Sequence, residues 1–477
     1  MQSASWGNAG TLGVSKQTTP LSKTPSNVSA SLRQSWGAKK SEQSSGAGVF
    51  FDSATLMDPY FWLWGLTFLR AFFGNAHVAF LDTVWRDLNH EAQRALFDVA
   101  KEEGLLEEAD LRIDGRCVLK TAAHESAAAS ADATAAAETA ETAAAEAAAK
   151  MALLRTREPK IEIGRRIVSL ELSEQDAQGS CSAYSQGLAR VSAAKYGATF
   201  EVGVAARSLL KTASGRVCGV RTEGGKEVRA DAVVLCAGAC AAPLAATAGL
   251  YVPVQPLRGY SFTARVGDGS HTGSEDGRAP TAGSAPSAQD SSLKKKQDGK
   301  LQQAAALFGL VALLPPEPPP SVRTHLTFAP SSLYVTRLGD TLRFTCFGEM
   351  SPVCADGPGP PTRALFGTLR RLVESEVPNV RELCDWEHAV EWHGCRPLTP
   401  DSHPLSGRTR VPGLYLNVGH SFNGWREATV SARVVADAVS GSLNAGAAVD
   451  GTSSFAGGCS APEYTVRAFD PARFRLW

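Results

Sequence analysis

The chain has 477 residues, 43% of them hydrophobic, and its 48 Lys and Arg residues balance 48 Asp and Glu residues. A net charge of zero gives no electrostatic reason to expect nucleic acid or an anionic membrane surface as a partner. The length allows two or three domains, or one two-lobed unit with insertions. The ten cysteines include no C-x-x-C pair, which argues against a zinc site and favours reduced thiols in an intracellular compartment.

The N-terminal 48 residues are polar and contain no strand followed by a glycine-rich turn. Gly46 and Gly48 follow a run of Ser rather than a strand, so they do not predict a phosphate-binding loop. Residues 1–41 have no acidic residue and are rich in Ser with scattered Lys and Arg. That composition is typical of a transit peptide, which is one interpretation of this region.

Residues 49–120 are predicted to be mainly helical. The stretch 60–73 (YFWLWGLTFLRAFF) is the most apolar of the chain, but it contains Arg70 and falls short of the roughly 20 residues that cross a bilayer. We therefore predict a buried helix rather than a transmembrane segment. Residues 78–104 place apolar side chains at near-helical spacing, and Gly104 is a typical helix stop.

Segments of low complexity interrupt the chain. Residues 121–150 are almost wholly Ala, Glu, Thr and Ser, and residues 266–305 are rich in Gly, Ser, Asp and Lys. We expect the first to be an insert without an anchor in a core and the second to be disordered. Residues 313–320 (LLPPEPPP) predict a polyproline spacer, and residues 442–477 predict a tail.

Two regions around the second insert have strong strand signals. Residues 232–236 form a continuous apolar run that ends at Ala237 and Gly238, where small residues let the backbone approach a ligand or another element. Residues 334–337 and 343–346 flank a Gly-Asp pair, which predicts a β-hairpin.

Residues 392–441 are the most informative part of the chain. The apolar run 414–418 predicts a short strand, and residues 419–424 predict a tight turn. From residue 427 onward, apolar residues recur at helical spacing until Gly441. A strand that feeds a helix through such a turn exposes backbone N–H groups at the helix start, which suits an anion or a polar ring edge.

Four motifs occur in the order DAVVLCAGA, PVQPLRGYS, GCRPLTPDSHPLSG and YLNVGHSFNGW. In this order they resemble the D-amino-acid oxidase superfamily of FAD-dependent oxidoreductases, and the chain looks closest to its D-amino-acid dehydrogenase and glycine/sarcosine oxidase branch. Weaker similarity covers residues 3–12, 60–106 and 173–223. The resemblance implies FAD as the cofactor and a small amino acid as the substrate, with an electron acceptor that the sequence does not identify.

The chain departs from this family at its N-terminus. Members of the family open with a strand, a G-x-G-x-x-G turn and a helix, and the sequence has no such unit. Instead, SASWGNAGTL at residues 3–12 resembles the segment that follows this unit and brings an Asn-Ala-Gly turn to the flavin. We therefore expect the chain to begin after the first βαβ unit of its family, as a truncated or degenerate member would, in preference to a transit peptide.

The resemblance implies three catalytic candidates. Arg396 matches the arginine that binds the substrate carboxylate, a role that suits a planar guanidinium because it can form two parallel hydrogen bonds. A surface ion pair is the alternative for Arg396. His420 is either a proton carrier or a hydrogen-bonded structural residue. Tyr260 either lines the substrate pocket or is a buried scaffold residue with a satisfied hydroxyl.

A larger set is implied to contact the cofactor. The Asn-Ala-Gly turn, Gly407 and the bend before the C-terminal helix would lie at the flavin ring. The residues after the 232–236 run would lie near the nucleotide half, and Ala206 would lie against the adenine. The set is Asn8, Ala9, Gly10, Ala206, Ala237, Gly238, Gly407, Gly419, Asn423, Gly424 and Trp425. We expect no metal site.

The expected architecture is α/β, with an FAD-binding Rossmann-like lobe that lacks its first βαβ unit and a substrate lobe built on an antiparallel sheet. The first four predicted segments are an N-terminal remnant of the FAD domain with a polar linker (1–48), the helical part of the substrate lobe (49–120), an Ala-rich insert (121–150) and a crossing between the lobes (151–265). The last four are a disordered insert (266–305), the substrate-lobe sheet (306–399), a C-terminal FAD-binding segment (400–441) and a tail (442–477).

The predicted function is FAD-dependent oxidation of a D-amino acid, or of a glycine- or sarcosine-like amine, by hydride transfer from the α-carbon. We expect a cytoplasmic or mitochondrial location. The alternative is a non-catalytic scaffold that does not retain FAD because it has no pyrophosphate cradle.

Overall fold

The structure is a computed structural model. It describes residues 7–14, 49–51, 53–72, 76–121, 145, 148–149, 151–165, 167–266, 322–329, 331–353, 359–444 and 461–474. All of them belong to one compact unit, Met1–Val266 with Val322–Trp477. The two inserts, the polyproline spacer and the tail were predicted at positions most of which lie outside the described residues.

The described part of the chain contains sixteen strands. They are β1 (Thr11–Leu12), β2 (Val49–Phe51), β3 (Arg116–Thr121), β4 (Ile167–Ser173), β5 (Ala177–Gln178), β6 (Ala206–Lys211), β7 (Val217–Thr222), β8 (Glu227–Arg229), β9 (Val233–Leu235), β10 (Gln255–Arg265), β11 (His325–Phe328), β12 (Leu333–Leu338), β13 (Thr341–Met350), β14 (Val390–Leu398), β15 (Leu405–Arg408) and β16 (Leu414–Val418).

Helices connect and cover these strands. They are α1 (Ser53–Leu56), α2 (Pro59–Phe72), α3 (Ala76–Glu102), α4 (Cys181–Tyr196), α5 (Ala241–Ala246), α6 (Arg363–Glu376), α7 (Val380–Leu383), α8 (Gly424–Asn444) and α9 (Glu463–Phe469), with short 3₁₀ turns at Gly238–Cys240 and Pro471–Phe474.

The largest sheet has eight strands in the order β14-β10-β13-β12-β11-β3-β4, with β2 paired to β13. Most neighbours are antiparallel, while β3 with β11 and β2 with β13 are parallel. The predicted hairpin is confirmed as β12 and β13, joined at Gly339, whose φ of 60° suits a residue without a Cβ. This sheet is largely antiparallel, as the sequence predicts for its second lobe; that the lobe binds substrate stays a prediction.

The two faces of this sheet differ in chemistry because successive side chains of a strand point to opposite faces. One face, here called the apolar face, carries Phe262, Phe344 and Val335 and packs against α6 and Trp386. The other, here called the polar face, carries Ser261, Thr263, Arg343 and their neighbours on adjacent strands. On the polar face Ser261 and Thr345 are buried, while Thr263 and Arg343 are half-buried, so this face is not an ordinary solvent-facing surface.

Three smaller sheets complete the fold: β15-β16-β9, β6-β7-β8 and β1-β5. The strand predicted at 414–418 is confirmed as β16, and it runs parallel to β9. The helix predicted from residue 427 begins earlier, at Gly424, and continues through Gly441 to Asn444. Gly441 does not stop the helix because one glycine in a helix costs only about 1 kcal/mol.

Helix α2 is only partly buried, although the sequence predicts a buried helix. Trp64 and Phe68 pack under the sheet edge, but Trp62 and Leu66 on the opposite side are 56% and 64% exposed. Among the helices that the structure describes, none has both the length and the apolar character that a bilayer-crossing segment requires. Helix α3 confirms the helix predicted over residues 78–104.

Candidate functional site

Two transverse rows of side chains cross the polar face. Residues directly opposite each other on neighbouring strands point to the same face. The first, here called the hydroxyl row, consists of Trp392, Ser261, Thr345, Tyr334 and Thr327. The second, here called the arginine row, lies two residues further along the strands and consists of Thr263, Arg343, Thr336, His325 and Arg116.

Residues 7–14 run along the arginine row and are hydrogen-bonded to it. The Arg343 Nη1 atom donates to the Asn8 carbonyl oxygen at 2.9 Å. Thr336 Oγ1 donates to the Ala9 carbonyl oxygen at 2.6 Å, and Thr11 Oγ1 lies 3.1 Å from His325 Nδ1. The predicted Asn-Ala-Gly turn is therefore held on the polar face by three side chains of one row.

The Asn-Ala-Gly sequence fits this turn for conformational reasons. Gly10 has φ of 77°, a left-handed conformation that favours glycine. The Asn8 side chain accepts a hydrogen bond from the Gly10 backbone N–H at 2.8 Å, a local Asx-type turn. A Cβ at position 10 would also approach Thr336 and Leu338.

Arg396 lies on the polar face, next to the hydroxyl row and on the side away from residues 7–14. Its strand neighbour is Leu257, and its guanidinium lies over Gly259, where a Cβ would collide with it. The guanidinium carbon is 5.4 Å from the ring centroid of Phe422. The prediction that Arg396 lies close to the 419–425 bend is therefore confirmed by the geometry.

Arg396 is half-buried, and its guanidinium has no counter-ion among the described residues. Its Nη1 atom is inaccessible to solvent and has no hydrogen-bond partner. Burial lowers the pKa of Arg396, and the nearby Tyr334, Cys395 and Cys346 oppose that shift. Arginine nevertheless stays charged in proteins. The surface ion pair, the alternative from sequence, is not what the structure has at this residue.

The bend at 419–425 brings several predicted residues to the same place. Gly419 has φ of 78°, and Asn423 accepts the Glu427 backbone N–H at 2.9 Å as helix α8 begins. His420 Nε2 lies 2.9 Å from Ser431 Oγ, and burial lowers the pKa of His420 to about 4. A neutral, hydrogen-bonded imidazole is the structural alternative that the sequence left open. Trp425 packs into the core beside Tyr184, away from the bend.

Tyr260 lies on the other face of the sheet from Arg396. It is fully buried in the apolar face against Phe366, at a centroid distance of 5.1 Å. Its hydroxyl donates to Glu349 at 2.5 Å and accepts the Thr362 backbone N–H at 3.0 Å. The expectation that Tyr260 lines the pocket of Arg396 is therefore corrected: the side chain points to the opposite face, and the geometry is that of a scaffold tyrosine.

The residues predicted near the nucleotide half of the cofactor are not in this group. Ala206 is exposed at the start of β6, in a different sheet. Ala237 is exposed, and Gly238 has φ of 56° with open space where a Cβ would stand. Gly407, predicted to lie at the flavin ring, is buried in β15 opposite Leu416. Their roles stay predictions.

A buried ion pair joins the start of α8 to residues 7–14. Arg426 donates to the Gly13 carbonyl oxygen, and its Nη2 atom lies 3.1 Å from Glu427 Oε1. The Glu427 Oε2 atom has no hydrogen-bond partner. Burial is the main cause that raises the pKa of Glu427 to about 7 and lowers that of Arg426.

Sequence reasoning missed four residues of the polar face: Ser261, Arg343, Thr345 and Tyr334. Ser261, Thr345 and Tyr334 belong to the hydroxyl row, and Tyr334 is close enough to Arg396 to influence its pKa. The available signal was the alternation of polar and aromatic residues in S-F-T (261–263) and R-F-T (343–345). That alternation alone does not distinguish a solvent face from a buried polar one.

Comparison with known proteins gives a family and a fold. The model of the DAO family, described as FAD dependent oxidoreductase, matches residues 2–438. A D-amino acid dehydrogenase of Sinorhizobium medicae (strain WSM419) is 32% identical over 292 residues, 61% of this chain and 54% of that protein. One of Rhizobium johnstonii (strain DSM 114642 / LMG 32736 / 3841) is 30% identical over 286 residues, 60% and 54% of the two chains. The chain thus spans about half the length of these relatives.

A solved structure supports the same fold. L-proline dehydrogenase from P. horikoshii matches with a TM-score of 0.50 and 15% identity, covering 82% of this chain and 83% of that one. At this identity the likeness shows the fold alone. The mixed α/β architecture that the sequence predicts is confirmed.

Proposed function

This chain belongs to the DAO family of FAD-dependent oxidoreductases, and from that premise we propose that it catalyses the oxidation of an amino acid or a similarly small amine. FAD, when bound, supplies the acceptor for the hydride of the substrate α-carbon. The single observation that carries the proposal is the Arg396 Nη1 atom on the polar face, which is buried and has no hydrogen-bond partner among the described residues. A D-amino acid, or a glycine- or sarcosine-like amine, is the proposed substrate.

The residues at the ring end of the site fit FAD. The Trp392 Nε1 atom, in the ring that packs against Gly7, is buried and has no hydrogen-bond partner among the described residues, so this end of the face would meet a polar ring edge. Residues 8–10 on one side, and Gly419, Asn423 and Gly424 on the other, are those that would hold the ring. The positive end of the α8 dipole favours negative charge beside Gly424.

Arg396 would bind and orient the substrate. A buried cation without a counter-ion costs free energy unless an anion enters. An amino-acid carboxylate supplies that anion, because the guanidinium donates two parallel hydrogen bonds to its oxygens. Phe422, over the guanidinium, and the Trp392 indole on the same face would exclude water from this contact. Fixing the carboxylate fixes the direction of the α-C–H bond.

One observation favours a second candidate, a scaffold that does not retain FAD. Ala206 and Ala237, which would border the adenine half, are both exposed. A cofactor held at one end alone would bind weakly. Such a protein would keep the fold of the family without its chemistry.

Absorbance of the purified protein separates the two candidates. We expect a yellow protein, or a colourless one that takes up added FAD stoichiometrically. That protein should then reduce an artificial electron acceptor with at least one small amino acid, tested in both enantiomers. A protein that neither carries nor takes up FAD contradicts the proposed enzyme and supports the scaffold.

A further inference from the structure

The hydroxyl row contains more unpartnered buried polar groups than stability alone would favour. Ser261 and Thr345 are 0% and 1% exposed, and neither hydroxyl has a hydrogen-bond partner among the described residues. The Trp392 Nε1 and Thr327 Oγ1 atoms in the same row are also buried and unpartnered. Each such group costs about 1–3 kcal/mol when it is left unsatisfied. Ser261 and Thr345 lie directly opposite each other on β10 and β13, and together they indicate a position where a ligand completes the hydrogen bonds.

The neighbouring arginine row shows that this pattern is not general to the polar face. Thr263 accepts a hydrogen bond from Arg343 Nε at 3.0 Å, and the Thr336 hydroxyl donates to Ala9. Residues 8–11 thus satisfy that row, and Gly7 packs against the Trp392 ring at one end of the hydroxyl row. The Ser261 and Thr345 hydroxyls, further along the hydroxyl row, have no partner among the described residues.

The distance from Arg396 limits what this ligand group can be. The guanidinium lies over Gly259, and Ser261 is two residues further along β10, about 7 Å at roughly 3.4 Å per residue. A group attached to the same small molecule as the carboxylate can bridge that interval. The row contains no charged side chain, and its hydroxyls both donate and accept. These features suit a neutral hydroxyl or amide.

We propose that the hydroxyl row binds a neutral, hydrogen-bonding side chain of the substrate, so that the enzyme prefers amino acids with a hydroxyl or amide group over hydrocarbon analogues of the same size. This inference rests on the proposed function, because Arg396 must hold the carboxylate of the same molecule. Ser261 and Thr345 are then residues that determine specificity.

Isosteric ligands test the inference first. Threonine and valine, each in both enantiomers, should differ in kcat/KM by about tenfold or more in favour of threonine, because valine leaves the buried hydroxyls unpaired. 3-Hydroxybutyrate and 3-methylbutyrate carry the carboxylate without an amine to oxidise. The first should raise the Tm of the FAD-loaded protein at lower concentration than the second. Equal behaviour within both pairs overturns the inference.

Paired variants then test whether the hydroxyl row causes the preference for threonine over valine. Ser261→Ala and Thr345→Val each remove one hydroxyl with little change of shape, and together they should reduce the threonine preference to about twofold or less. Thr341→Val, on the same strand and face but with its hydroxyl bonded to Leu338, is the matched control and should keep the preference. If these variants weaken FAD binding but keep the preference for threonine, the hydroxyl row contacts the flavin ring instead of the substrate, and the inference is overturned.

The same experiments distinguish a failure of the proposed function from a failure of the substrate preference alone. A wild-type protein that takes up no FAD, or that binds neither acid, refutes the proposed function and the inference together. A wild-type protein that oxidises amino acids but treats threonine and valine alike refutes only the inference.

Discussion

The apolar face and the polar face of the large sheet come from alternate residues of the same strands, and they differ in how their groups are satisfied. On the apolar face, Phe344 packs edge-to-face on Trp386 at 5.2 Å, and the Tyr260 hydroxyl has two partners. On the polar face, Arg396 and the hydroxyl row keep buried atoms without partners. Buried side chains on the apolar face therefore stabilise the fold, whereas buried polar atoms on the polar face are available to bind a ligand.

This difference teaches that burial alone does not identify a core. A folded chain gains free energy from buried apolar area, whereas a buried polar atom without a partner loses it. A face that holds several such atoms in one place is stable only because the rest of the fold compensates. The predictions below test whether the two faces separate stability from ligand binding.

The largest expected effect is on the apolar face. Phe344 is fully buried, so Phe344→Ala removes a large side chain and leaves a cavity. We expect the free energy of unfolding to fall by about 3–5 kcal/mol, measured by urea denaturation. FAD-loaded protein that remains folded should bind 3-hydroxybutyrate with unchanged affinity. A loss of that affinity at full folding would contradict the separation of the faces.

The reciprocal effect is expected at Arg396. Arg396→Ala should raise KM for the amino acid a hundredfold or more at unchanged flavin content, because losing a desolvated charge pair costs about 2–5 kcal/mol. Arg396→Lys should also raise KM, since an ammonium does not form the two parallel bonds. Arg363→Ala, a largely exposed arginine on α6, is the control. Unaltered kinetics in a flavin-loaded Arg396 variant would remove this residue from the site.

Glu427 offers a contrast with Arg396, because its buried charge has a partner and titrates near neutrality. Its pKa in the fold is raised to about 7 from 4.5, so its contribution to stability is complete below about pH 4.5 and is lost as the pH rises through 7. The difference in unfolding free energy between wild type and Glu427→Gln should change by roughly 3 kcal/mol across this window. A difference that stays flat from pH 4.5 to 8 would contradict the raised pKa.

A smaller effect distinguishes the two interpretations of Tyr260. Tyr260→Phe leaves Glu349 and the Thr362 N–H without the phenol, and we expect it to lower stability by about 1–3 kcal/mol. Because the side chain lies on the apolar face, KM for the amino acid should not change. A large rise of KM in a stable Tyr260→Phe protein would return this residue to the substrate site.

Sequence reasoning predicted the parts of the molecule that depend on local pattern. The β12–β13 hairpin, strand β16 and the turn before α8 follow from apolar periodicity and glycine placement, and the structure has each of them. The position of Arg396 beside the bend follows from a motif. These features need only neighbours in sequence, so one sequence is enough to find them.

The sequence alone did not predict how residues on distant strands pair with one another. Tyr260 and Ser261 are adjacent in the chain, yet one faces Phe366 and the other the hydroxyl row, and this depends on pairing with β13 and β14. A shift of one residue would exchange their faces. The tethering of Asn8 by Arg343 joins positions 335 residues apart, a contact that no spacing rule reports.

The finest test lies within the polar face, between two threonines that differ only in their partners. Thr336 bonds to His325 at 2.6 Å and to the Ala9 carbonyl, while the Thr327 hydroxyl is buried without a partner. Thr336→Val should lower the free energy of unfolding by about 1–3 kcal/mol, because His325 and Ala9 lose a hydrogen bond. Thr327→Val should leave it unchanged or raise it by up to about 1 kcal/mol, because it deletes an unsatisfied group. Urea denaturation of the ligand-free variants measures both, and a loss at Thr327 as large as that at Thr336 would mean that its hydroxyl already has a partner in the folded protein.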